Sequence, residues 1–254
     1  MKTRIPLIAG NWKMFKTCSE AVATAVALVN NVADVSGREV LIAPPYTSLY
    51  PVSEVLAGSS VFLGAQNLFW EKEGAYTGEI SAAMLASAGC RYVIIGHSER
   101  RQYFNETDET VNRRIQAALK GELIPVFCVG ESEQARDSGQ TFSVLDKQVK
   151  NGLKNLFAKE LEKLVIAYEP VWAIGTGKTA SSRQAQEVHE FLRSLLKESL
   201  GRELADSIRI LYGGSVKPDN IAELMGMPDV DGALVGGASL NADTFSAIVH
   251  YSVR

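Results

Sequence analysis

The sequence predicts an α/β protein, a single-domain (β/α)8 barrel with eight parallel strands that spans residues 1–254. Three observations lead to this fold class. The length of 254 residues is typical of one such barrel. Short apolar runs alternate with segments of helical periodicity along the whole chain. No linker or block of like charges divides the chain, so one domain is the simplest organisation.

The eight predicted strands are apolar throughout, instead of alternating between apolar and polar residues. Runs of this kind are typical of parallel strands that are covered on both faces. The predicted strands span residues 7–10, 40–43, 61–64, 92–95, 124–129, 164–167, 208–211 and 232–235.

A helix is predicted after each strand, and connections of this length favour parallel pairing of the strands. Eight is also the number of strands that closes a barrel filled by its own side chains. On pattern alone, a doubly wound open sheet remains an alternative. The predicted helices span residues 20–32, 47–57, 80–88, 108–120, 143–161, 182–200, 218–224 and 243–251.

The composition is that of an ordinary globular protein, with 46% hydrophobic residues and a formal net charge of −3. A slightly acidic chain has no overall attraction for nucleic acid or for an anionic membrane, so neither is predicted as a partner. Cys18, Cys90 and Cys128 are odd in number and form no C-x-x-C pair. We therefore expect reduced thiols and a cytoplasmic location. The first apolar stretch is too short to predict a signal peptide or a membrane span.

Polar side chains follow several predicted strands. Asn11 and Lys13 follow the first strand, His97 and Glu99 the fourth, and Glu169 the sixth. The carboxyl ends of the strands of a (β/α)8 barrel form one rim, at which ligands bind. The sequence therefore predicts an active site that combines a cation, an imidazole and carboxylates at one mouth.

Glycine-rich turns follow the seventh and eighth predicted strands, at residues 213–215 (GGS) and at Gly236 and Gly237. Without a Cβ, the peptide N–H groups of such turns can approach a phosphate closely, and a helix N-terminus adds partial positive charge. Gly175, after the sixth strand, could supply a further N–H. Because phosphate sites recur after the last two strands of such barrels, we expect one here.

Neither a cofactor nor a metal site is predicted. Residues 177–179 (GKT) resemble the end of a P-loop, but Trp172 stands where the first glycine of that motif belongs. Residues 175–180 match a degenerate dinucleotide fingerprint, yet they do not directly follow a strand. Residues 189–193 begin like a zinc-protease motif but end in arginine instead of the second histidine.

Four segments of the chain are distinctive: GNWK at residues 10–13, GHSERR at 96–101, AYEPVWAIGTGK at 167–178 and YGGSV at 212–216. In this order they resemble the triosephosphate isomerase family, and the resemblance covers essentially the whole chain. It implies a TIM barrel that interconverts dihydroxyacetone phosphate and D-glyceraldehyde 3-phosphate in glycolysis and gluconeogenesis. The implied reaction is a proton transfer through an enediolate, with no cofactor.

The resemblance also implies a role for each polar residue at the mouth. Glu169 would be the base that shuttles a proton, and His97 would donate to the enediolate oxygens as a neutral imidazole. A helix N-terminus beside His97 would disfavour its protonated form. Lys13 would supply a cation to the phosphate and the developing oxyanion. Asn11 would add a polar contact, and Glu99 would order this network.

By the same resemblance, Gly175, Ser215, Gly236 and Gly237 would join Asn11 and Lys13 in binding the substrate and its phosphate. A lid would close over the substrate and protect the enediolate from water. Trp172 would anchor the first end of the lid, and Tyr212 and Ser215 would hold the lid closed. The lid itself would consist of Pro170, Val171, Trp172, Ala173, Ile174, Gly175, Thr176, Gly177 and Lys178.

The segment 66–79 is long for a connection and contains three aromatic residues, so we expect a partner to cover it. The resemblance implies that this segment inserts into the second subunit of a homodimer. Thr77 would then contact the neighbouring active site. A loop that packs on its own barrel is the alternative.

Two rival functions are open to the residues alone. The first is an aldolase that forms a Schiff base on Lys13 or Lys178. The second is a barrel that binds a ligand without catalysis. The presence of Lys13, His97 and Glu169 together disfavours the second.

Overall fold

The computed structural model describes residues 4–175 and 178–253. Within these ranges, eight parallel strands form a closed barrel in which each strand pairs with the next and the last pairs with the first. The predicted parallel (β/α)8 barrel is therefore confirmed, and the open sheet is wrong. The strands are β1 (Leu7–Asn11), β2 (Glu39–Ala43), β3 (Val61–Ala65), β4 (Tyr92–Ile95), β5 (Ile124–Val129), β6 (Val165–Tyr168), β7 (Arg209–Tyr212) and β8 (Gly232–Val235).

The helices surround the barrel, and in the described ranges none is long and apolar enough to cross a lipid bilayer. They are α1 (Cys18–Asn31), α2 (Leu49–Leu56), α3 (Ala82–Ser87), α4 (Ser98–Tyr103), α5 (Asp108–Lys120), α6 (Glu133–Asp137), α7 (Thr141–Gly152), α8 (Ser182–Leu200), α9 (Arg202–Ser207), α10 (Ile221–Met225) and α11 (Ala242–Val249). Short 3-10 turns lie at Tyr46–Ser48, Ala158–Leu161, Val171–Ala173 and Gly237–Leu240.

The strand predictions agree with the structure to within one residue at each end, and α5 and α8 have their predicted bounds. The sequence analysis missed α4, α6 and α9, each of only five or six residues. Helices this short contain less than two turns, so they show little periodicity that a sequence pattern could reveal.

The single long helix predicted over residues 143–161 is wrong, because α7 ends at Gly152. An added Cβ at Gly152 would lie 2.4 Å from Cζ of Phe127, so this glycine lets the end of α7 pack against β5. Three residues later, Asn155 has a φ of 61°, which is incompatible with a continuing right-handed helix.

Local capping explains where α5 and α8, the two helices with their predicted bounds, begin. Thr107 and Thr110 exchange hydrogen bonds between side chain and backbone at the start of α5, at 3.0 and 3.3 Å. Ser181 and Gln184 do the same before α8, at 2.9 and 3.2 Å. These pairs provide partners for N–H groups that a helix leaves unpaired at its first turn. Gly201, with a φ of 86°, ends α8.

Strand side chains alternate between two buried layers. Residues such as Ile94, Val126 and Leu211 fill the interior of the barrel. Their strand neighbours, such as Val93 and Phe127, pack outward against the helices. Because both faces of every strand are buried, the strands read as continuous apolar runs in the sequence.

An ion-pair network covers the amino-terminal end of the barrel. The Glu39 carboxylate accepts hydrogen bonds from the Tyr92 hydroxyl at 2.6 Å and from the Arg209 guanidinium at 2.5 Å. These three residues lie at the first positions of β2, β4 and β7. The polar mouth therefore lies at the opposite end, where the strands finish.

Gly232 lies where β8 approaches the backbone of β1 too closely for a side chain to fit. An added Cβ at Gly232 would lie 1.9 Å from the carbonyl oxygen of Leu7, and its φ is 153°. We expect Gly232→Ala to lower the free energy of unfolding by about 3 kcal/mol, because the barrel must open to accommodate the methyl group. Urea denaturation at fixed protein concentration measures the change.

Gly237→Ala is the matched control for this prediction. Among the described residues, no atom lies within 4 Å of an added Cβ at Gly237. We expect a change within about 0.5 kcal/mol for this control. Equal stability of the two variants would show that β8 does not depend on the close approach to β1.

Candidate active site

Barrel closure brings the polar strand-end residues to one mouth. Asn11 ends β1, His97 lies two residues after β4, and Glu169 directly follows β6. Together with Lys13 they line a cavity of about 280 Å³ at the carboxyl ends of the strands. Glu99 lies at the edge of this group and contacts Lys13 and His97.

Glu169 is a carboxylate held almost entirely away from solvent, with 2% of its surface exposed. Its Oε2 accepts a hydrogen bond from the Ser98 backbone N–H at 2.9 Å, and its Oε1 accepts one from the Ser98 hydroxyl at 3.3 Å. Nε2 of His97 lies 2.9 Å from Oε1. A buried carboxylate needs such partners, because burial alone penalises the charged form.

The pKa values of Glu169 and His97 move in opposite directions. Burial raises the pKa of the Glu169 carboxyl, but the adjacent His97 ring and the Ser98 N–H outweigh it and hold this pKa below its usual value. Burial likewise lowers the pKa of His97, but the Glu169 carboxylate outweighs it, so the net shift is upward, opposite to the shift expected from the helix N-terminus alone. The carboxylate is therefore kept ionised in a site that excludes most water.

The hydrogen bonds of the His97 ring indicate which nitrogen carries the proton. Nδ1 accepts a hydrogen bond from the Glu99 backbone N–H at 3.2 Å, as His97 caps the first turn of α4. A nitrogen that accepts an N–H carries no proton, so the neutral ring has its proton on Nε2. That proton points to Glu169, and it is the proton that the ring could donate to a ligand oxygen.

Lys13 is positioned by both its side chain and its backbone. Its Nζ lies 2.5 Å from Oε1 of Glu99. Its backbone N–H donates to Oδ1 of Asn11 at 3.0 Å, and its carbonyl accepts from the Gln66 side chain at 2.8 Å. The backbone of Lys13 has a φ of 51°, a conformation that most residues avoid, and these hydrogen bonds help to fix it.

The predicted phosphate-binding residues line the same cavity. Gly175, Ser215, Gly236 and Gly237 all face it, and an added Cβ at Gly236 would lie 3.4 Å from Cε of Lys13. Gly237 begins a 3-10 turn. The turn after β7 differs from expectation, because α10 starts only at Ile221 and the turn opens no helix directly.

The described part of the predicted lid begins with the 3-10 turn at Val171–Ala173, directly after Pro170. Ala173, Ile174 and Gly175 line the cavity beside Glu169. At the far end, Lys178 pairs with Glu133 of α6. The two remaining lid residues, Thr176 and Gly177, lie outside the described residues.

Glu131 is a buried site residue that sequence reasoning missed. Its Oε1 accepts hydrogen bonds from Nε1 of Trp172 at 2.9 Å, from the Tyr168 hydroxyl at 3.1 Å and from the Arg136 guanidinium at 3.2 Å. Glu131 follows β5 by two residues. The signal that identified Asn11, a polar residue at a strand end, therefore could have found it.

Ser98 and Lys217 were also missed. Ser98 is the residue that donates two hydrogen bonds to Glu169, and it lies inside the GHSERR segment. Lys217 lines the cavity beside the glycine turn after β7. Their proximity in sequence to motif residues is the only signal that could have identified them.

Tyr212 lies near Ala180, beyond the far end of the predicted lid. Burial raises the pKa of its hydroxyl to about 12, and the backbone N–H of Ala180, two residues after Lys178, partly offsets this. The His189 ring packs near Tyr168 and Tyr212, with centroid distances of 5.9 and 6.4 Å. Burial lowers the pKa of His189 to about 4, so His189 is a neutral core residue beneath the site.

Thr77, the predicted dimer contact, does not line the cavity. It lies in a stretch, residues 71–79, in which every residue is exposed in the single chain. The residues before this stretch are anchored, since Asn67 and Leu68 are buried and accept hydrogen bonds from Arg114.

Comparison with known proteins identifies the family. The family model described as Triosephosphate isomerase matches residues 6–252. The chain belongs to the triosephosphate isomerase family. The resemblance of the four sequence segments is thereby confirmed.

Several curated triosephosphate isomerases match this chain over nearly all of their length. The protein from Citrifermentans bemidjiense is 55% identical over 98% of this chain and 99% of its own. The protein from Carboxydothermus hydrogenoformans is 56% identical over 98% of this chain and its full length. The crystal structure of triosephosphate isomerase from Bartonella henselae superposes with a TM-score of 0.87 at 41% identity, covering 96% of this chain and 97% of the other.

The coupling between Glu169 and His97 in this triosephosphate isomerase family member can be measured directly. We expect Glu169→Gln to lower the pKa of His97, because the substitution removes the carboxylate charge that raises this pKa and leaves the burial that lowers it. Titration of the histidine ring signals by NMR measures the shift. His189 is the internal control, since its pKa of about 4 arises mainly from burial. An unchanged or higher pKa of His97 would contradict the proposed coupling.

Proposed function

We propose that this chain acts as a triosephosphate isomerase, in which residues of the described mouth interconvert dihydroxyacetone phosphate and D-glyceraldehyde 3-phosphate. One observation carries the assignment of residues. A buried carboxylate, an imidazole and an ammonium group line one cavity that also contains glycine turns suited to a phosphate. In this proposal residues 1–254 form one catalytic domain that works in the cytoplasm, without cofactor or metal.

Glu169 is the proposed proton shuttle. It takes a proton from one carbon of the triose and returns it to the neighbouring carbon, while the carbonyl moves the other way. The lowered pKa of the Glu169 carboxyl supports this role, because the base must be ionised before it can accept the proton. The Ser98 N–H holds the Glu169 carboxylate by a hydrogen bond, and a bound substrate would compete with Ser98 for this carboxylate.

His97 and Lys13 stabilise the enediolate in the proposed mechanism. The proton on Nε2 of His97 can be donated to either of the two substrate oxygens, which lie on adjacent carbons. The Lys13 ammonium faces the same cavity and balances the negative charge of both enediolate and phosphate. Asn11 adds a polar contact, and Glu99 keeps Lys13 oriented through their ion pair.

The phosphate group would lie against the glycine turns. Gly236 and Gly237 offer backbone N–H groups in a part of the cavity that no Cβ fills, and Ser215 and Gly175 face it from the neighbouring loops. Peptide N–H groups bind a phosphate oxygen without the desolvation cost of a second buried cation. The lid from Pro170 to Lys178 would then close over the triose, with Tyr212 and Ser215 holding it.

The contacts of the two candidate lysines disfavour an aldolase. A Schiff base requires a free amine, whereas Lys13 is ion-paired with Glu99 and Lys178 with Glu133. Borohydride treatment in the presence of dihydroxyacetone phosphate should therefore leave no covalent lysine adduct.

A coupled assay with dihydroxyacetone phosphate tests the reaction, and Glu169→Gln tests the base. We expect this variant to lower kcat by about 10²- to 10⁴-fold, because general acid–base catalysis by one group contributes this much. Binding of inorganic phosphate should change little, as Glu169 lies on the proton-transfer side of the cavity. An inactive wild-type enzyme would overturn the reaction, whereas near-normal turnover of the variant would remove only Glu169.

A homodimer is the proposed assembly. Large apolar side chains are exposed on the segments that follow β1 to β4, and Met14 is 93% exposed in the single chain. A cluster of this kind marks a protein interface. Its members are Met14, Phe15, Tyr46, Tyr76, Tyr103 and Phe104. In the proposed dimer, Thr77 reaches the partner's mouth near Asn11 and Lys13.

Shortening the exposed loop tests the dimer. We expect replacement of residues 71–78 by a short Gly-Ser linker to give a monomer with much lower activity. The replacement spares Gln66, whose side chain holds the Lys13 carbonyl. Sedimentation velocity measures the assembly. Phe157→Asp, which removes another exposed apolar side chain from outside the cluster, is the control and should leave the sedimentation coefficient unchanged. An unchanged coefficient for the shortened loop would argue against the proposed interface.

A further inference from the structure

The side chain of Gln148, in α7, holds both polar groups of the Gly130 backbone. Its Oε1 accepts a hydrogen bond from the Gly130 N–H at 2.8 Å, and its Nε2 donates to the Gly130 carbonyl at 3.0 Å. We propose that Gln148 is a positioning residue for Glu169 and acts through Gly130. This inference rests on the proposed role of Glu169 as the base.

The main chain of Glu169 packs directly against Gly130. An added Cβ at Gly130 would lie 1.8 Å from the carbonyl oxygen of Glu169 and 3.2 Å from its Cβ. The N–H of Glu169 donates to the Val129 carbonyl at 2.8 Å. The peptide that joins Val129 to Gly130 therefore fixes where the Glu169 backbone lies and in which direction its side chain leaves the backbone.

Gln148 acts at the point where the β5–β6 ladder ends. The last residue pair of the β5–β6 ladder is Val129 with Tyr168, one residue before Gly130 and Glu169. Beyond that pair, a glycine has more conformational freedom than any other residue. The Gln148 side-chain amide hydrogen-bonds the peptide groups on both sides of Gly130. These two bonds restrain the Gly130 backbone in both position and orientation.

A second cavity makes this restraint necessary. It has a volume of about 530 Å³ and lies behind the base, lined by Gly130, Gln148, Ser98, Val171 and Glu169 among others. Close packing therefore does not hold the Gly130 peptide on this side, and it has room to move if its amide partner is lost. A displacement of about 1 Å in a catalytic group can cost a factor of about 10² in rate.

Gln148→Leu removes both hydrogen bonds while keeping a side chain of similar size. We expect kcat to fall by about 10-fold or more, while KM for dihydroxyacetone phosphate stays within about 2-fold. The reason for this split is that the variant displaces the base and leaves the glycine turns of the phosphate site intact. Steady-state kinetics of the full-length protein measures both constants.

Gln186→Leu is the matched control. In α8, Gln186 also makes two hydrogen bonds to one residue, accepting from the Asp229 backbone N–H at 3.0 Å and donating to the Asp229 carboxylate, not to a backbone carbonyl, at 2.8 Å. Neither residue lines the cavity that holds the base. We expect a loss of thermal stability similar to that of Gln148→Leu, with kcat within about 2-fold of wild type. If the two variants lose the same activity, Gln148 is merely structural and the proposal is wrong.

Gln148→Glu gives a second, independent readout. A carboxylate at this position still accepts from the Gly130 N–H, but it places a negative charge in the cavity that Glu169 also lines. A nearby negative charge disfavours ionised Glu169 and raises its pKa, so the acid limb of the kcat/KM profile should move to higher pH. The carboxylate cannot donate to the Gly130 carbonyl, so a wild-type kcat in this variant would overturn the proposal, and this variant decides if Gln148→Leu fails to fold. A wild-type protein without isomerase activity on dihydroxyacetone phosphate would instead overturn the proposed function.

Discussion

The site depends on keeping one buried carboxylate ionised. Glu169 has lost nearly all contact with water, and burial by itself would favour its neutral form. The Ser98 N–H and the His97 ring take the place of the water molecules that would otherwise stabilise the charge. Both residues lie in the segment that follows β4. The start of α4 therefore stabilises the carboxylate that follows β6.

Strand order explains why these contacts can form. β4 and β6 are not paired with each other, since β5 lies between them in the barrel. The residues that follow β5 consequently lie beneath and beside Glu169. Gly130 supports its main chain, and Glu131 binds the side chains of Tyr168 and Trp172 on either side of it. The middle strand supplies the framework, while its two neighbours supply the chemical groups.

The sequence was sufficient for the strands and for the residues at their ends. Asn11, His97 and Glu169 each follow an apolar run closely, and barrel closure then places them together. Gln148 could not be found this way, because in an amphipathic helix it looks like any solvated polar residue. The break in the predicted helix at Gly152 depends on Phe127, a residue of another strand, and such contacts exist only after folding.

Glu131 links the base to the proposed lid through the covalent chain. Tyr168 and Trp172, which both donate to its carboxylate, flank Glu169 at one and three residues' distance, and the Val171 N–H donates to the Glu131 carbonyl at 3.2 Å. Pro170 allows little rotation between them. Any movement that carries Trp172 away from Glu131 must therefore also turn the backbone beside Glu169. In the proposed mechanism, a substrate that draws the lid inward would therefore also change the contact between Glu169 and Ser98.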